Sequence, residues 1–126
     1  MNRMQEQVHE FHKIYDVRVQ HQPGIPPVGR VILRVALIDE EFTEFKAACL
    51  TGDIVEAADA LGDLLYVIFG AAIEFGLDME PIVDEIHRSN LTKLGADGKP
   101  IRAANGKVLK GPDFERPDIK KILAQQ

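Results

Sequence analysis

Apolar side chains return every three or four positions along most of the chain, and the places where that rhythm stops divide it into helices. Met4, Val8, Phe11 and Tyr15 predict an amphipathic first helix over residues 3–18, which QPGIPP breaks. Val31, Leu33, Val35, Leu37, Ile38, Phe42 and Phe45 keep helical order and predict a second helix from about Pro27 to Leu50. Thr51-Gly52 should end it, because glycine takes the left-handed conformation at a helix C-terminus. Asp53 then caps a third helix running to about Phe75, with Glu56 three residues on in near capping-box position. Gly76 stops that helix, and Asp78 caps a fourth that reaches about Leu94 with Ile82, Ile86 and Leu91 inward. Past Gly95 the rhythm is lost, and Asn105-Gly106 between short mixed runs predicts a two-stranded hairpin. The fold class is therefore all-α, a four-to-five-helix bundle with a small C-terminal β-hairpin, in one domain over 1–126 with 95–118 as a hairpin and tail extension.

Acids interrupt the pattern in two places. On the second helix Glu40, Glu41 and Glu44 fall within a stripe about 100° wide that also holds Leu33, Leu37 and Ala48. On the third, Glu56, Asp59 and Asp63 stand three and four apart and share a face with Val67 and Gly70. Helices joined by a link as short as LTGD pack as antiparallel neighbours, so the two acidic faces can meet. Like charges that close repel, and something positive must sit between them. Hard divalent cations such as Mg2+ or Mn2+ prefer carboxylate oxygens, and neither motif contains a cysteine or histidine that would favour zinc. Two or three such ions could orient a triphosphate, neutralise its developing charge and lower the pKa of a bound water. Each acid also has a plainer reading: Glu56 as a capping partner, Glu40 as a solvated or flanking charge.

Composition narrows the partners. With 126 residues, 45% apolar, the chain suits one core, and its apolar share is generous enough to expect a homodimer or homotetramer. A formal charge of -5 argues against a nucleic acid polymer as partner. The single cysteine, Cys49, lies among apolar neighbours and reads as a small core residue of a cytoplasmic protein. The longest apolar run, LLYVIFGAAI, is too short to span a membrane, and MNRMQEQVHEFH contains no apolar signal core. His9 and His12, one turn apart, read as exposed-face histidines. A diiron carboxylate bundle would need repeated Glu-x-x-His, of which Glu6-x-x-His9 is the one strict copy. A non-catalytic helical dimer module would have no reason to keep acids in a seam.

EEFTE at 40–44 followed by EAAD at 56–59 resembles the paired E-E-x-x-E and E-x-x-D motifs of the all-α nucleotide pyrophosphohydrolases, the group that includes MazG and the phosphoribosyl-ATP pyrophosphohydrolases. DALGDLLYVIFGAA, HRSNLTKLGADGKP and GKVLKGPDFERPDI are similar to a MazG-like branch with members acting on dUTP or guanine nucleotides; the likeness covers roughly residues 30–118. The resemblance implies Mg2+-dependent hydrolysis of a nucleoside triphosphate, a dNTP such as dUTP or dGTP, or GTP, between the α and β phosphates. The products are a monophosphate and pyrophosphate, in nucleotide-pool cleaning or remodelling. Phosphoribosyl-ATP in histidine synthesis is the alternative substrate. It further implies Glu41, Glu44, Glu56 and Asp59 as metal ligands, and Glu40 as either a ligand or the water-orienting base. Asp63 directly precedes the L-L-x-x segment, where many MazG-type chains carry the last motif acid, so both Asp59 and Asp63 are kept, with Asp59 ranked first. Asn90 and Lys93 resemble an N-x-x-K phosphate-binding pair; they could equally be an ordinary polar helix end. Lys107 and Lys110 in the hairpin could close over the triphosphate or be merely solvated, and the Tyr66 hydroxyl could reach a phosphate or pack in the core. The base contacted, expected between the first helix and PGIPP, is not legible from these residues.

Overall fold

The computed structural model describes residues 1–126. In chain order the elements are α1 (Arg3–Ile14), α2 (Val28–Thr51), α3 (Ile54–Glu74), α4 (Met79–Asn90), β1 (Ile101–Arg102), β2 (Val108–Leu109) and α5 (Ile119–Ala124). The all-α class with a small hairpin is what the chain adopts. It forms two compact units, Met1–Met79 and Glu80–Gln126.

In the first unit Asn2 caps α1 by accepting from Gln5 N–H at 2.8 Å. The helix ends at Ile14, four residues short of the predicted boundary, because Asp16 turns left-handed (φ 54) and Val17 N–H bonds back to His12 O. Aspartate tolerates that conformation better than most residues. The following segment lies along the end of α3, with Gln20 N–H donating to Ile73 O at 3.1 Å and Gly24 N–H to Phe75 O at 3.0 Å. Gly52 closes α2 at φ 69, and the Asp53 carboxylate caps α3 by accepting from the N–H groups of Val55 and Glu56, both at 3.1 Å. Asp53 N–H goes to Ala48 O at 3.1 Å, so the reciprocal half of a capping box, which would occupy Glu56, is not made. Gly76 ends the α3 turn at φ 69, and a Cβ there would fall 2.1 Å from Gln22 O.

The contacts of α2 with α3 pair low numbers with high ones (Arg30 with Glu74, Arg34 with Val67), so the two helices are antiparallel. Val8, Phe69 and Ile73 form the buried apolar cluster, with Val19 and Met79 against it. Gln5, 1% exposed, serves the turn between α3 and α4: its Nε2 donates to Leu77 O at 2.7 Å and its Oε1 accepts from Met79 N–H at 2.9 Å. At the far end of the α2–α3 pair apolar side chains stand in the open, including Leu50, Ile54 and Val55. Cys49 is exposed there too, not the core residue its neighbours suggested, because nothing within the first unit covers that end. His12 departs in the other direction: expected on an exposed face, it is 2% exposed.

In the second unit Ile82 is buried as expected, whereas Ile86 and Leu91 are exposed. What α4 holds there is polar. Ser89 Oγ donates to Glu115 O at 2.7 Å, Thr92 Oγ1 accepts from Glu115 N–H at 2.9 Å, and Glu85 accepts from Asp118 N–H at 3.0 Å. The two strands pair antiparallel with Ile101 opposite Leu109, around the expected Asn105-Gly106 turn. A short α5, capped by Asp118, follows the tail. No single helix is long and apolar enough to cross a membrane.

Candidate metal centre

The first unit carries thirteen acidic against six Lys and Arg side chains, and its acids are not spread evenly. Glu41 and Glu44 lie one turn apart on α2, and Asp63 faces them from α3, so that one carboxylate oxygen from each lies within 4.8 Å of the others. Two further acids border the trio: Asp59 is within hydrogen-bonding reach of Asp63, and the charge of Glu40 acts on Glu41. Glu56 precedes Asp59 by three positions on α3 and is exposed. Of the two candidates on α3, the oxygen that joins the trio belongs to Asp63, with Asp59 beside it.

The electrostatics follow from this crowding. The Glu41 carboxyl is pushed up to about 7, first by loss of solvation and then by Glu44, Asp63 and Glu40. Asp63 is raised by the same loss and by the charges of Asp59 and Glu44. Glu41 Oε2 is buried and has no hydrogen-bond partner, an arrangement that costs free energy unless something electropositive reaches it. An all-oxygen donor set with an orphaned carboxylate oxygen fits a hard divalent cation, Mg2+ or Mn2+.

A cavity of about 500 Å³ lies among α1, α2 and α3, and none of the acids lines it. Leu37 and Tyr66–Val67 line it, each within a turn of the acids: Leu37 is four positions from Glu41, and Val67 four from Asp63. The rest of the lining is Val8, Phe11 and His12 of α1, Val17 after it, and Arg30, Leu33 and Arg34 of α2. Helix α1 is thus in the wall of this cavity, and none of Pro23–Pro27 is. Tyr66 presents its ring edge-on to Phe11, centroids 5.8 Å apart at 85°. The wall is backed by an ion-pair network that the sequence reading missed. Glu74, fully buried, accepts from Arg30 Nε at 2.6 Å and Nη2 at 3.0 Å, and pairs with Arg34 Nη1 at 3.3 Å. Arg34 Nη2 also donates to Val67 O at 2.9 Å, in space that a side chain at position 70 would fill: a Cβ on Gly70 would lie 2.0 Å from that nitrogen. The signal was present, since Arg30 and Arg34 interrupt the second helix, and Glu74 ends an apolar run, much as the acids do.

The other candidates lie in the second unit. Asn90 is the last residue of α4, and its carbonyl accepts from Lys93 N–H at 3.3 Å. Lys107 closes the hairpin turn, accepting from Ala103 N–H at 2.8 Å through its carbonyl. The Lys110 ammonium rests over the Phe114 ring, 4.9 Å from its centroid.

The match that this helix pair makes with known proteins places the chain in the MazG-like nucleoside triphosphate pyrophosphohydrolase superfamily. Within it, residues 8–90 match the model of the family described as phosphoribosyl-ATP pyrophosphohydrolase, and the chain belongs to that family. An uncharacterised protein of Acanthamoeba polyphaga mimivirus is 32% identical over 113 residues, covering 89% of this chain and 39% of that protein. The chain therefore spans well under half the length of that relative. A solved structure of a provisionally named NTP pyrophosphohydrolase from Exiguobacterium sp. 255-15 is similar, with 24% identity, a TM-score of 0.49, and coverage of 98% of this chain and 95% of that one.

Proposed function

We propose that the protein hydrolyses a nucleoside triphosphate, a deoxynucleotide such as dUTP or dGTP, or GTP, to the monophosphate and pyrophosphate, in nucleotide-pool cleaning or remodelling. The observation that carries the reading is the buried, partnerless Glu41 Oε2 within a cluster of carboxylates, with Leu37 and Val67 of the cavity wall four positions from Glu41 and Asp63. Glu41, Glu44, Asp63, Asp59 and Glu56 hold Mg2+, two to three ions per site, or Mn2+. When bound, the metal neutralises phosphate charge and lowers the pKa of water. Glu40 or Glu41 orients the attacking water and takes its proton. The cavity receives the base against the Phe11 and Tyr66 rings. The Tyr66 hydroxyl supplies a donor to the phosphates; Asn90, Lys93, Lys107 and Lys110, which the resemblance assigns to phosphate binding, belong to the second unit.

The exposed Leu50, Ile54 and Val55 end of the α2–α3 pair supports assembly into a homodimer or homotetramer, which light scattering would register as a multiple of 14.0 kDa. The matched family name supports a second substrate, phosphoribosyl-ATP, on the same site. One experiment separates these readings: incubation with each common NTP and dNTP and with phosphoribosyl-ATP in Mg2+, followed by separation of products. A monophosphate with pyrophosphate supports the proposal; orthophosphate, or no product from any substrate, refutes it.

A further inference from the structure

His12 lies in the cavity wall at 2% exposure, and its ring orientation is fixed by one bond: Nδ1 stands 3.0 Å from Arg18 O. A carbonyl only accepts, so Nδ1 carries the hydrogen, and in the neutral ring Nε2 is then a bare acceptor. Burial, with the charge of Arg34 adding to it, holds the imidazole below its usual pKa and so keeps it neutral, against the opposing pull of the Arg18 carbonyl and Glu74. No protein donor meets Nε2. Beside it the wall offers the opposite chemistry. Arg30 and Arg34 share one carboxylate, Glu74, leaving an excess of positive charge on that side of the wall.

We propose that His12 is a specificity-determining residue, its Nε2 accepting from the ring N–H of a base whose neighbouring carbonyl faces the arginine side of the wall. The ligand class is a flat heteroaromatic with a lactam edge, N–H beside C=O, as in uracil, guanine and hypoxanthine. Adenine and cytosine present a ring nitrogen and an amino group instead, and a ring nitrogen is a poorer partner for a guanidinium-lined wall than a carbonyl oxygen. This rests on the proposed function for what enters the cavity, and it deepens that reading by naming the edge that is read.

The test compares dUTP, dGTP and dITP with dATP and dCTP on the wild-type protein, then adds N3-methyl-dUTP and N1-methyl-dGTP, which lack the ring N–H. The lactam set should show kcat/KM about 10- to 100-fold above the amino set, and methylation should remove a similar factor, mostly through KM, because a buried acceptor is left unpaired. His12→Phe should flatten the ranking, and His12→Gln, which restores an acceptor near the Nε2 position, should recover part of it. Preference for the amino set, or N-methylation without effect on the wild type, overturns the inference while leaving the pyrophosphohydrolase reading intact. No hydrolysis of any triphosphate by the wild type defeats that reading and this one together. Because the analogue arm uses wild-type protein alone, it can overturn the inference even if the variants fail to fold.

Discussion

Two carboxylates in the same helix pair, Glu74 and Glu41, meet opposite fates. Glu74 is fully buried and satisfied from within, gripped by Arg30 and Arg34 across the α2–α3 contact. Glu41 is half-buried, its Oε2 is orphaned, and its charged neighbours are the acids Glu40, Glu44 and Asp63. A protein that could have placed an arginine beside Glu41, as it did twice beside Glu74, has instead left that end of the helix pair short of positive charge. The paired carboxylate belongs to the architecture; the unpaired one is where the proposed cation would bind.

Substitutions should therefore split along that line. The largest effect is expected at the acid cluster: Glu41→Gln and Asp59→Asn should each cut turnover at least roughly 100-fold, the scale of losing one charge-organising group, while the metal-free fold keeps or slightly gains melting temperature as repulsion is relieved. Steady-state rates with circular dichroism melts would check this. Glu74→Gln should do the reverse in kind, costing about 3–5 kcal/mol of stability by leaving Arg34 buried without its counter-charge, read from urea unfolding. Gly70→Ala should cost about 1–3 kcal/mol in the same assay, because its methyl would displace the Arg34 guanidinium. A smaller effect is expected from pH. Since Glu41 is raised above its ordinary 4.5 to about 7, its protonated form is the one the fold favours. Its contribution is complete below about 4.5 and is lost as pH climbs through 7, with Asp63 acting in the same direction. Mg2+ reverses that loss, so the melting-temperature rise it causes should be larger at pH 8 than at pH 5.5.

The helices were legible because breakers mark them: Gly52, Asp53 and Gly76 each act where their chemistry dictates. The α1 boundary was not, since Asp16 turning left-handed leaves no apolar signature. That the acidic faces of α2 and α3 meet could be read from helical spacing and a short connection, but not that Asp63 rather than the first-ranked Asp59 joins Glu41 and Glu44. What spacing could not give was which side chains are partnered. Arg30 and Arg34 look like the solvated charges of an ordinary helix until Glu74 is seen between them, and His12 becomes a cavity residue only once Arg18 O takes its Nδ1 hydrogen. Long-range pairing decides both, across 44 positions in the first case.

The most direct test is a titration of Mn2+ into the nucleotide-free protein at pH 8, followed by the loss of the free ion's electron paramagnetic resonance signal, with Mg2+ as competitor. Saturable binding that Mg2+ displaces, and that Glu41→Gln weakens strongly while Glu74→Gln protein still folded enough to assay retains it, is the predicted result. Binding that is absent in the wild type, or unchanged by Glu41→Gln, would contradict the account.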